Sequence, residues 1–63
     1  MSDVNYAVIV TYKGNDSLQG LYKSRDSAEK RVDNIIGGEV SIFETLFSDP
    51  EVVLREFKGE LVI

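Results

Sequence analysis

The sequence predicts an α+β fold: a small antiparallel sheet, elements in the order β-β-α-(α)-β-β, with one main helix packed on one face. Three stretches carry that expectation. Asn5-Tyr6-Ala7-Val8-Ile9-Val10-Thr11-Tyr12 is rich in β-branched and aromatic residues and lacks Gly and Pro, the composition of a strand. Lys13-Gly14-Asn15-Asp16-Ser17 is a cluster of turn formers that folds the chain back. From Ala28 the apolar positions 28, 32, 35 and 36 then share one face of a helix, and Gly37-Gly38 stops it.

Sixty-three residues suffice for a single domain, 1–63. A chain this short buries only about 60% of the surface it exposes when unfolded, so its margin of stability is small. A content of 43% hydrophobic and 29% charged residues is that of a globular domain and excludes disorder throughout. Cysteine and histidine are both absent, which removes disulfides, thiolate and imidazole metal ligands and every catalytic arrangement built on either residue. No cofactor and no enzymatic activity are expected. Residues 1–31 carry five Lys/Arg against four acids, a balance of +1; residues 32–63 carry two against seven, a balance of −5, giving −4 in all. That acidity disfavours direct contact with nucleic acid or an anionic membrane. The N-terminus has no basic, apolar leader pattern and no stretch reaches about 18 apolar residues, so a cytoplasmic location is expected.

Along the first strand, Val4, Tyr6, Val8, Val10 and Tyr12 share one face, and Asn5, Ala7, Ile9 and Thr11 the other. Only Ile9 is large and apolar on the second face, so the Val/Tyr face should meet the helix and the other should stay open. The return strand, 18–23, contains Gly20, which marks a bulge or a sheet edge. Ser24 stands at the N-cap, with Asp26 and Ser27 near the positive end of the helix. On the exposed helix face Asp26 attracts Lys30, and Glu29 repels Asp33.

Residues 39–47 read two ways. Val40, Phe43, Leu46 and Phe47 fit a helix, whereas Val40 and Ile42 also fit a strand; a short second helix is the expectation. Ser48-Asp49-Pro50 then interrupts the chain, and Asp49 with Pro50 also has the form of a helix start. The β-branched, apolar run 52–57, followed by Lys58-Gly59-Glu60 and Leu61-Val62-Ile63, favours strand, turn and short strand instead. The expected core is Tyr6, Val8, Val10, Leu21, Ala28, Val32, Ile35, Phe43, Phe47, Val53 and Phe57.

The carboxylate pairs Asp49/Glu51 and Glu56/Glu60 lack the spacing of a calcium loop, and neither Gly14-Asn15-Asp16 nor Gly37-Gly38 has the pattern of a phosphate loop. Tyr6, Tyr12 and Tyr22 would line the hairpin, but the face expected to be open has no Lys or Arg between aromatics, which argues against an RNA-binding sheet. Partner contacts are therefore expected at Asp49, Glu51, Glu56 and Glu60 and at Tyr12 and Tyr22. The function expected is a non-enzymatic protein-binding module acting through an acidic surface or a sheet edge. The alternative is a structural, self-assembling protein such as a homodimer.

Gly20-Leu21-Tyr22-Lys23-Ser24, followed by Ala28-Glu29-Lys30-Arg31-Val32, resembles the small strand–strand–helix–strand accessory proteins of bacteriophages. Size and order of elements are also similar to those of the small host RNA polymerase inhibitors of T7-like phages. The likeness covers about residues 4–36 and carries over no functional residue. It implies a phage-encoded protein that binds a host bacterial protein in the host cytoplasm and inhibits or redirects it.

Overall fold

The computed structural model describes residues 3–61. Among these residues five elements follow one another: β1 (Asn5–Tyr12), β2 (Asn15–Tyr22), α1 (Arg25–Val32), β3 (Glu39–Thr45) and α2 (Pro50–Phe57). The three strands form one antiparallel sheet in the order β2-β1-β3. The α+β class is as the sequence predicts, but the second half of the chain is assigned differently.

The β1–β2 hairpin closes through Lys13 and Gly14 alone, a tighter turn than residues 13–17 suggest. Both take positive φ, 51° and 79°, the handedness that matches the twist of the flanking strands. Along β2 the register slips between Val8 and Ile9, which pair with Gly20 and Leu18 and leave Gln19 over. This bulge gives Leu18 and Leu21, three residues apart, the same face of the sheet, where Ile9 and Ala7 oppose them. Gly20 falls on the other face beneath the Tyr22 ring, which occupies the place a Cβ would take.

Ser24 caps α1 as expected, its Oγ accepting from the Ser27 N–H at 3.2 Å. The helix does not reach Ile36. It ends at Val32, where bonds from Asn34 to Arg31 and from Ile35 to Val32 tighten the last turn and the Asn34 amide donates to the Lys30 carbonyl at 3.1 Å. Asp33 and Asn34 are poor helix formers, and the helix stops at them before it reaches the glycines. Ile36 is consequently 99% exposed.

Residues 39–45 form a strand, not the short helix expected over 39–47. Beside β1, a strand satisfies backbone groups that a helix would leave unpaired along that edge, and register fixes its faces: Val40 and Ile42 with Val10 and Val8, Phe43 with Ala7. Residues 50–57 form a helix, not the strand expected over 52–57. Asp49 caps it, accepting from the Glu51 N–H at 2.9 Å, and Pro50 takes the first turn, where its missing N–H costs nothing. Lys58-Gly59-Glu60 is the end of that helix rather than a hairpin turn. Gly59, at φ 75°, lets Glu60 N–H reach the Arg55 carbonyl and Gly59 N–H the Glu56 carbonyl, a Schellman stop. Leu61 lies outside any strand, and the remainder of the strand expected at 61–63 lies outside the described residues.

The two helices close opposite faces. Val53, Leu54 and Phe57 of α2 pack with Ala7, Ile9, Leu18, Leu21, Phe43 and Phe47, and the Phe43 and Phe57 rings meet edge to face at 5.4 Å. On the other side α1 crosses all three strands, and its following loop brings Gly38 against Val10. The face expected to stay open is thus covered too: Ala7 and Ile9 on it are fully buried, as are Val8, Ala28 and Val53. Tyr6, Leu21, Val32, Ile35, Phe43, Phe47 and Phe57 are half-buried contributors.

Val53→Ala should lower stability by about 2–3 kcal/mol in urea unfolding, through lost burial and the cavity left behind. Ser24→Ala should cost about 1 kcal/mol, and Ile36→Ser should stay within about 0.5 kcal/mol of the parent.

Candidate functional site

The four acidic residues expected to bind a partner all lie on α2 or at its ends, but their carboxylates do not converge. Asp49 is the N-cap. The Glu51 carboxylate accepts from Arg55 one turn later, at 3.3 Å, in an exposed pair. Glu56 leans the opposite way, towards the sheet, and accepts from the Thr45 hydroxyl at 2.6 Å. Glu60 follows the Schellman stop with an exposed side chain. The local bonds of Asp49 and Glu56 hold α2 in place, and Glu51 is already paired. Among the described residues no group of three acids converges as a cation site would require.

The tyrosines separate as well. Tyr6 and Tyr22 are opposite each other across β1 and β2 and are half-buried. Tyr12 stands at the far end of β1, about 20 Å along the strand, and is 58% exposed beneath the Lys13 ammonium, 5.4 Å from the ring centre. It joins Val10, Gln19, Ile35, Ile36 and Gly37 around an open groove of about 500 Å³. A smaller groove of about 320 Å³ lies at the other end of the sheet, between Val4, Glu44, Thr45, Leu46 and Glu56.

That second end is held by a short polar chain. Thr45, 3% exposed, donates to Glu56 and accepts from the Phe47 N–H at 3.1 Å; Asn5, 4% exposed, donates its amide to the Phe47 carbonyl at 2.9 Å. These bonds fix where β3 ends and where α2 begins. Among the described residues every buried side-chain polar atom has a partner, so the interior presents no unsatisfied group to a ligand.

The two edges of the sheet differ. β2 carries the bulge and Gly20, and Lys13 and Lys23 flank it, devices that discourage another strand from pairing. β3 is seven residues long and in unbroken register with β1, and it contains no Gly, Pro or Lys. Among the described residues it is bonded to β1 only, and no other backbone bond reaches it. Sequence reasoning placed the edge at 18–23 and missed this one, because it read 39–47 as helical. The alternation of Val40 and Ile42 was the signal that could have found it.

Thr45→Val should cost about 1–3 kcal/mol, because it strands the Glu56 carboxylate and the Phe47 N–H. Glu51→Gln, at an exposed pair, should change stability by less than about 0.5 kcal/mol; thermal melts of both variants separate the two roles.

No family model matches this chain, and neither does any curated protein or solved structure.

Proposed function

We propose that this protein is a non-enzymatic protein-binding module that takes an extended segment of a partner onto the outer edge of β3. The open, regular edge of β3, without bulge, Gly, Pro or Lys, is the observation that supports this reading. A strand offered there gains main-chain hydrogen bonds along seven residues, and the half-buried side chains of Val40 to Phe43 supply neighbouring apolar surface. The route through an acidic surface on α2 has less behind it, since Asp49, Glu51 and Glu56 already serve local bonds. The class of partner, a host bacterial protein engaged by a phage-encoded modulator, rests on the sequence resemblance alone.

Single prolines at Val40, Ser41, Ile42 and Phe43 test the edge. In an antiparallel ladder neighbouring residues turn their backbone groups alternately toward the paired strand and away from it. Alternate prolines should therefore unfold the domain, and the others should leave it folded by circular dichroism with its edge blocked. A protein captured from bacterial lysate by the parent and lost on the folded variants supports the reading. Capture unchanged on those variants rejects it, and capture of nothing by a parent that light scattering shows to be a dimer favours self-assembly.

A further inference from the structure

We infer that the segment taken up by β3 is basic: an extended, β-branched strand with Lys or Arg at two positions five residues apart. The inference rests on the edge reading above and supplies the chemistry of the partner.

The charge distribution around the sheet carries it. Residues 32–54 contain no Lys or Arg and five acids, Asp33, Glu39, Glu44, Asp49 and Glu51, and β3 lies in the middle of that stretch. The opposite edge has the reverse sign, with Lys13 and Lys23 flanking β2 and Asp16 the acid within it. Glu39 and Glu44 bracket the apolar centre of β3 and are exposed. Their spacing of five is odd, so one carboxylate leaves each face of the sheet. An antiparallel strand with cations opposite Glu44 and, five residues on, opposite Glu39 meets each carboxylate on its own side. Among the described residues, Arg25 is the cation that reaches this edge. Its Nη1 is 4.0 Å from a Glu44 oxygen while its Nε is held by Glu29 at 3.4 Å, and the Glu44 side chain remains 61% exposed.

A second copy of β3 does not supply that counter-charge. Pairing of β3 with β3 about a two-fold axis at Ile42 sets Glu39 opposite Thr45 and Glu44 opposite Val40, so the second β3 brings no Lys or Arg to either carboxylate. The edge is therefore better matched by a strand that brings the counter-charge than by another β3.

The test is a titration of isotope-labelled full-length protein, to millimolar ligand, with the capped peptide Lys-Thr-Val-Thr-Val-Lys and its analogues with Gln or Glu in place of both lysines. The lysine peptide should shift amide resonances along 39–45 and bind about tenfold more weakly when salt is raised from low to molar concentration. The double variant Glu39→Lys/Glu44→Lys should lose that peptide and take the Glu peptide instead, a swap that unfolding cannot imitate. Equal binding of the Lys, Gln and Glu peptides would overturn the basic-segment inference and leave the edge reading standing. Failure of all three to move the β3 resonances at millimolar concentration would overturn both.

Discussion

Everything in this molecule depends on covering β1. Its residues Ala7, Val8, Ile9 and Val10 are buried in succession, which places apolar side chains on both faces of one strand and demands a layer on each side. A three-stranded sheet with one helix would leave Ala7 and Ile9 in water. The chain meets the demand with two eight-residue helices on opposite faces, α1 reached by the crossover between the outer strands and α2 after the last strand. Neither helix is long enough to be stable alone, so each exists because β1 offers it an apolar surface. A stability on the order of 3–9 kcal/mol is what a chain of this size sustains, and the two faces of β1 are where most of it resides.

This arrangement explains which parts of the fold were legible in the sequence. The hairpin, the cap at Ser24 and the burial of Val8 and Val10 follow from local chemistry: β-branched residues in alternation, a glycine in a tight turn, a hydroxyl before a helix. The second half does not follow so directly. Val40 and Phe43 fit a helix while Val40 and Ile42 fit a strand, and the choice falls to strand because β1 has an edge to fill, a fact carried by residues 30 to 36 positions away. Val52-Val53-Leu54 looks like strand by composition, yet the cap and proline at Asp49-Pro50 and the demand for cover over Ile9 outweigh a propensity worth at most about 1 kcal/mol. The face judged open was judged so because small and polar residues on β1 hid how much apolar surface β2 and β3 add beside them.

The candidate surface was legible to a lesser degree. Acidity in the second half is plain from a count of charges, but its meaning changes once α2 is known to be a helix. Asp49 becomes a cap and Glu56 a ligand for Thr45, and the carboxylates left at a usable edge are Glu39 and Glu44. Residues picked as a cluster by sequence proximity are thus divided between architecture and surface by a single change in secondary structure.

The bulge in β2 has a further consequence for chain length. Gln19 is the surplus residue at the slip in register, so a chain lacking it would run on in regular alternation with Leu18, Gly20 and Leu21 all on the faces they now occupy. Loss of a residue elsewhere in the paired part of the hairpin would invert its neighbours. This position therefore tolerates deletion as far as burial is concerned, and what deletion removes is the irregularity of an outer strand. The penalty would fall on solubility, since a shortened chain would have two straight edges of opposite charge and so the means to pair edge to edge.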